Sequence, residues 1–436
     1  MVQLTHVLGE TKQQRELNMT SSDTSVPNKT VVLAYSGGLD TSCILVWLIE
    51  QGYDVIAYLA DVGQEEDFEA ARIKALQLGA KKIYIEDLKE QFVEEFIWPS
   101  VQANAIYEDR YLLGTAFARP CIARRQAEIA IKENAGYVSH GATGKGNDQI
   151  RFELTYYALY PGVKVIAPWK LPEFYEKYAG RLALFEYAKE RNIPLPVTKD
   201  SPWSMDANLM HISYESGILE DPWREAPEDI YQMTTDPAKS PEKPSTIEID
   251  FKNGLPVTTR DLDNGTTHNK PFEMFSYLNK IGGKHGIGRI DIVENRKIGM
   301  KSRGIYETPA GEILRHSHID IEAMTMDREL RKIKSYLSTQ FSEQVYNGLW
   351  FSPECEFVRK CINDSQKNVE GVVRMSIFKG QVYIKARKSD ASLYNQELVS
   401  MDVKGDYNPQ DAAGFIKVSA LRLSEHTRLQ RHLQQK

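Results

Sequence analysis

Only four of the 436 residues are cysteine, and none of Cys43, Cys121, Cys355 and Cys361 forms a C-x-x-C pair. A chain of this length buries a large core without covalent staples, so the few cysteines read as free thiols in a reducing compartment. Long apolar runs are missing too: no stretch reaches the roughly 18 residues that a membrane span needs. Positive charge is not in excess, with 54 Lys and Arg against 60 Asp and Glu and a formal charge of -6, which argues against a nucleic-acid surface as the main business. Residues 1–29 hold Glu10, Glu16 and Asp23 and no apolar stretch, unlike a secretory signal or an acid-poor transit peptide. They are expected to be disordered and dispensable for catalysis. Together these absences predict a cytoplasmic protein with small-molecule partners, no nucleic acid and no membrane.

What is present, at 42% hydrophobic and 26% charged, is the composition of an ordinary globular protein with room for two or three domains. Short segments rich in Val, Ile and Tyr at Val31–Tyr35, Asp54–Ala60, Lys82–Glu86, Tyr137–His140 and Val163–Ala167 predict strands. Helical patterns at Thr41–Gln51, Glu65–Leu78 and Pro120–Asn134 alternate with them, with Gly52, Gly79 and Gly136 placed for left-handed C-caps. The alternation predicts an α/β fold, a doubly wound parallel sheet over residues 30–192. The stiff link Ile193-Pro194-Leu195-Pro196 marks its end, and an α+β domain is expected over 193–415. Within it Asn253-Gly254 predicts a hairpin joining Ile247–Lys252 to Leu255–Thr259. A helix is expected over Pro271–Lys280, one long helix over Thr308–Tyr346 and a second hairpin over Val372–Lys388. Residues 416–436 form the last unit, in which Leu421–Lys436 reads as a helix with a thin stripe of Leu421, Leu423, Leu429 and Leu433, suited to docking on another subunit.

The first predicted strand runs into Ser36-Gly37-Gly38-Leu39-Asp40-Thr41-Ser42 and then a helix. Two glycines let backbone amides approach phosphate oxygens, the helix start adds N–H donors and a favourable dipole, and Ser36, Thr41 and Ser42 supply hydroxyls. The Walker pattern G-x-x-x-x-G-K-[ST] is absent. The string is similar instead to the pyrophosphate loop of enzymes that split ATP between its α- and β-phosphates. Asp40 beside phosphate suggests a shared Mg²⁺; its other reading is a charge that stabilises the helix N-terminus. A second glycine-rich run, Ser139 to Gln149, follows another strand and should face the first across a crevice, with Lys145 available to phosphate and Asn147, Asp148 and Arg151 opening a helix. Arg119, on a loop before a helix that Pro120 starts, reads equally as a clamp for carboxylate or phosphate and as an ion-pair partner. Cys43 reads as a small buried hydrophobe.

Five strings, AYSGGLDTS (34–42), GTAFARP (114–120), SHGATGKGNDQIRFE (139–153), SMDANLMHISYE (204–215) and GRIDIVENRKIGMKSRGIYETP (288–309), resemble those of the argininosuccinate synthases. The likeness extends from about residue 29 to the C-terminal helix. It implies ligation of citrulline and aspartate to argininosuccinate through citrullyl-AMP, with release of AMP and pyrophosphate, in arginine biosynthesis or the urea cycle. It implies ATP contacts at Ala34, Tyr35, Ser36, Gly37, Gly38, Leu39, Asp40, Thr41, Ser42 and Ala60, and along Ser139, His140, Gly141, Ala142, Thr143, Gly144, Lys145, Gly146 and Asn147. It implies citrulline contacts at Tyr111, Thr115, Asn147, Arg151, Ser204, Ser213, Glu294 and Tyr306, and aspartate contacts at Thr143, Asn147 and Asp148. Asp40, Asp148 and Arg151 would be the catalytic residues, Asp40 with Mg²⁺, and the assembly a homotetramer. One position departs from the family: Ala116 stands where a hydroxyl residue is common, leaving Thr115 as the hydroxyl at hand. The competing readings are another pyrophosphate-loop ligase and a non-catalytic adenine-nucleotide sensor.

Overall fold

The computed structural model describes residues 28–435 except 145, 179, 195–202, 403, 404 and 406. The expectations for residues 1–27, Lys145, Leu195-Pro196 and Lys436 therefore lie outside the described residues.

Strands β1 (Thr30–Ala34), β2 (Asp54–Asp61), β3 (Lys82–Asp87), β4 (Tyr137–Ser139) and β5 (Lys164–Ile166) form one parallel sheet in the order β3-β2-β1-β4-β5. Side chains alternate across it. Val31, Leu33, Val55 and Ala57 enter the core under α1 (Leu39–Glu50), while Val32, Ile56 and Tyr58 enter the opposite core. A sheet covered on both faces explains why its strands are short apolar runs. Its order reverses between β1 and β4, the switch point at which doubly wound sheets bind ligands. Both glycine-rich segments leave the sheet there. Gln126, in α3 (Gly114–Lys132), ties the two strands together, its buried Nε2 donating 2.9 Å bonds to Val32 O and Ser139 O.

Several element boundaries differ from expectation. Pro120 does not start a helix: α3 begins at Gly114, so Tyr111–Pro120 is largely helical. The proline costs one backbone bond, to the carbonyl of Ala116, and the first turn begins from Leu113 in a left-handed conformation (φ 63°). At the end of α3 it is Asn134 (φ 48°), not Gly136, that takes positive φ, whereas Gly52 and Gly79 take it as expected. The single helix expected over 308–346 is two, α7 (Pro309–Thr325) and α8 (Arg328–Tyr346). Asp327 caps α8 by accepting from the amides of Glu329 and Leu330.

Both hairpins of the second part are present: β8 (Ser245–Lys252) with β9 (Leu255–Asp261), and β13 (Gly371–Phe378) with β14 (Gln381–Lys388). With β10 (Thr267–His268) they join in one antiparallel sheet, β10-β9-β8-β13-β14, under α6 (Pro271–Lys284) and α7. A third sheet was not foreseen: β6 (Ser204–Ala207), β7 (Ile212–Glu215), β11 (Arg289–Asn295) and β12 (Lys301–Glu307), ordered β11-β12-β7-β6 and antiparallel. The C-terminal helix is longer than read, Pro409–Gln434, and has no buried residue. No helix among the described residues is long and apolar enough to cross a membrane.

Candidate active site

The loop after β1 is closed by its own hydroxyls: Thr41 Oγ1 accepts from Ser36 N at 3.2 Å and lies 3.1 Å from Ser36 Oγ. Gly37 takes φ +74°, and Lys74 Nζ holds its carbonyl at 2.7 Å. Gly38 caps α1 without a side-chain hydrogen bond, the kind of helix start whose amides suit an anion. Asp40 is the acid of that turn. Cys43, on the next turn, is fully buried; burial first and then the charge of Asp40 push its thiol up to about 12, which makes it inert. The loop after β4 meets this one directly, since a Cβ on Gly141 would sit 3.0 Å from Thr41 Cγ2. Ser139 and His140 point away from the crevice: both are fully buried, and His140 Nδ1 accepts from Ala142 N at 3.2 Å. Ala60, the penultimate residue of β2, is also buried.

Beside these loops, α3, the first turn of α4 (Asp148–Leu159) and the third sheet enclose a cavity of about 270 Å³. Tyr111, Thr115, Asn147, Arg151, Ser204, Ser213, Glu294 and Tyr306 all line it, as do Gly141, Thr143 and Asp148. Register explains part of this: Ser213 pairs with Tyr306 on one side and Asp206 on the other, so three site residues share a line across the sheet. Thr115 faces the cavity, whereas Ala116 is buried in the core.

The residues that sequence reading missed are the charges that appear only when distant strands meet. Asp206, Glu215 and Arg296 line the cavity, and Arg296 pairs with Glu215 at 2.6 Å. Arg119 bonds Asp148 Oδ2 at 2.9 Å and Asp206 Oδ2 at 2.7 Å, so here it is an ion-pair partner. Asp148 also accepts from Arg151 Nη1 at 2.9 Å, and Arg151 donates twice more to Tyr346 O at 3.1 and 3.0 Å. Burial raises the carboxyl of Asp148, but the two arginines outweigh it and hold its pKa below the ordinary value.

Among the described lining residues, four carboxylates face three arginines, and Glu294 has no arginine bonded to it. Its Oε1 accepts from Tyr306 OH at 3.1 Å, while Oε2 is buried without a bond of hydrogen-bond geometry, the also unbonded Tyr346 OH being its polar neighbour. Burial is the main cause of its raised pKa. His211 forms the floor, its Nε2 2.9 Å from Thr115 Oγ1 and its ring parallel to Tyr306. Burial, then Arg119 and Arg151, lower its pKa to about 3, so it is a neutral positioning group. Gly114 must be glycine because a Cβ there would lie 2.3 Å from His211 Cγ. A neutral floor, an anchored arginine and one unsatisfied carboxylate oxygen suit a polar zwitterion; the loops beside them suit a phosphate chain.

Residues 30–194 match the family model of the arginosuccinate synthase N-terminal HUP domain, and residues 203–426 that of the C-terminal domain. The chain is 69% identical over 400 residues to argininosuccinate synthase of Danio rerio, covering 92% of this chain and 97% of that protein. It is 67% identical over 400 residues to that of Homo sapiens, with the same coverage, and 65% over 404 residues to that of Gallus gallus, covering 93% and 97%. With two domain models spanning most of its length and relatives matched nearly end to end, this chain belongs to the argininosuccinate synthase family.

Proposed function

We propose that the chain ligates citrulline to aspartate in the cavity between α3, α4 and the third sheet, with ATP held on the Ser36–Ser42 and Ser139–Asn147 loops. The observation that carries this is convergence: residues as far apart in sequence as Tyr111 and Tyr306 line one cavity, next to a helix start without a side-chain cap. In this reading Arg151 takes citrulline's α-carboxylate and Glu294 its nitrogen end. The ureido oxygen attacks the α-phosphate, its bond to phosphorus forms as that to the leaving pyrophosphate breaks, and citrullyl-AMP results. Aspartate's amine, held near Thr143, Asn147 and Asp148, then displaces AMP at the ureido carbon. No covalent enzyme nucleophile takes part; positioning and charge neutralisation do the work.

A Mg²⁺ ion fits as a partner of phosphate rather than of a protein cage. Among the described residues no group of three or more His, Cys, Asp or Glu is placed to hold a metal; Asp40 is the carboxylate of the helix's first turn, and Glu66 stands beside Gly37. A magnesium shared with phosphates and waters needs little more. Bound there, it would neutralise charge on the leaving pyrophosphate.

The test is dependence on each substrate. Pyrophosphate is expected only with citrulline present, and argininosuccinate only when aspartate is added as well. Equal turnover with ornithine in place of citrulline would overturn the reading. Asp148→Ala is expected to raise KM for aspartate by about tenfold, the worth of one charge-assisted hydrogen bond. Because Asp148 also anchors Arg151, KM for citrulline should rise as well, but less; equal rises would make Asp148 purely structural.

Cytoplasmic residence and a homotetramer belong to the same proposal, the former supported by four free cysteines. For the latter, the helix Pro409–Gln434 exposes Phe415, Ile416, Val418 and Leu421, a surface that a lone helix does not stabilise in water. Removing residues 408–436 is expected to shift the assembly toward dimers or monomers on light scattering. A truncated protein that still ran as a tetramer would refute the role of this helix.

A further inference from the structure

A second cavity, of about 610 Å³, lies between α7, α8 and the turn at residues 104–109. Its walls carry three cations: Arg315 on α7, and Arg331 and Lys334 on α8. Among the described residues only Lys334 of the three is in an ion pair, its Nζ lying 2.8 Å from Glu322 Oε1 with both side chains 2% exposed. One carboxylate meets this ammonium, and Arg315 Nε is buried without a hydrogen-bond partner. Glu322 has little left to offer, since it also accepts from Asn104 Nδ2 at 2.8 Å and Gln366 Nε2 at 3.0 Å.

The cavity's other acids do not balance these cations. Glu108, Asp109 and Glu343 stand on its exposed rim, where solvent screens them, and Glu108 is spent on Asn295 N and Nδ2 at 3.1 and 2.6 Å. Buried donors without acceptors are uncommon in folded proteins unless something comes to meet them. Two guanidinium forks and an ammonium match the oxygens of a carboxylate or phosphate group.

We propose that this cavity is a second ligand site, which takes a small carboxylate or phosphate anion among Arg315, Arg331 and Lys334, and that its occupancy tunes citrulline binding. The first half stands alone; the second rests on the catalytic reading above. The two cavities share a wall. Tyr107 lines the anion cavity and stacks on Tyr346 with ring centroids 3.6 Å apart, and Tyr346 O holds Arg151. Tyr107 OH also donates to Asn295 O at 2.8 Å, one residue from Glu294.

The experiment is isothermal titration of the full chain with inorganic phosphate and, separately, with succinate, at constant ionic strength, for wild type, Arg315→Gln and Arg331→Gln. Neither arginine makes an ion pair among the described residues, so both variants should fold; without anion their melting temperatures should equal or exceed that of wild type, because like charges are separated. A lowered midpoint would mark a structural role and overturn the proposal. Each variant is expected to weaken anion binding about ten- to a hundredfold. Phosphate held on the ATP loop gives a heat common to all three proteins and drops out of the comparison. Binding of phosphate alone, or of succinate alone, identifies the group the site prefers. Identical isotherms for the three proteins would sink the site. In wild type alone, KM for citrulline should move with anion concentration; binding without that movement overturns the coupling and leaves the site. Failure to turn over citrulline at all would touch only the catalytic reading, since the isotherms need no substrate.

Discussion

Asp40→Asn is expected to lower kcat by about 100- to 1,000-fold with little change in melting temperature, the loss usual for a removed transition-state contact to charge. Two roles were open to this carboxylate, and magnitude separates them. As a charge in the first turn of α1 it interacts with the helix dipole, worth about 0.3–1 kcal/mol and so at most about fivefold in any rate. As the carboxylate that shares Mg²⁺ with the leaving pyrophosphate, it acts where charge builds in the transition state, on a loop whose hydroxyls and amides are already ordered. Asparagine keeps the shape and a hydrogen-bonding oxygen but removes the charge, so the substitution reads that charge alone. The measurement is kcat at saturating ATP, citrulline and aspartate, with thermal unfolding as the control. Retention of more than roughly half the activity would return Asp40 to the dipole role.

The parallel sheet was legible because strands buried on both faces can be little other than short apolar runs, and β1 to β5 lie within one or two residues of their predicted ends. The turn of the loop after β1 was legible for a similar reason: its closed geometry depends on local backbone chemistry, which glycines and hydroxyls spell out in order. The start of α3 was not, because Pro120 carries the signal of a first helical residue while the true start depends on Leu113 holding positive φ, with Gly114 packed against His211. The break between α7 and α8 was signalled only by Asp327, and a helical period that continues on both sides hid it. The third sheet was the largest omission. Its strands β6 and β7 are four residues each and carry polar side chains toward the cavity, so they lack the apolar alternation by which strands are recognised. For the same reason Arg296, Asp206 and Glu215 could not be assigned in advance: each gains its role from a partner that the sheet or helix α3 brings from elsewhere in the chain.

Glu294→Gln is expected to raise KM for citrulline by at least about thirtyfold while making the protein more stable at neutral pH. The first effect follows from the buried carboxylate oxygen Oε2, which in the proposed function meets the nitrogen end of citrulline; losing one partner of such a buried charged contact costs about 2–5 kcal/mol. The second follows from the sign of the pKa shift. Burial raises the carboxyl above its ordinary value, so between the unfolded and folded values the folded chain binds more protons than the unfolded one. Stability then rises as pH falls through the raised pKa, and at neutral pH the buried charge weakens the fold. Glutamine removes that charge, and its carbonyl can still accept from Tyr306 OH. In wild type, KM for citrulline should climb on the acid side as the carboxylate protonates, beginning at a higher pH than an ordinary glutamate would set; in Glu294→Gln that limb should be flat. Thermal unfolding at several pH values and citrulline kinetics over the same range check both halves. A variant that is less stable at neutral pH would show that Glu294 is held for the fold, and an unchanged KM would show that its free oxygen meets something other than citrulline.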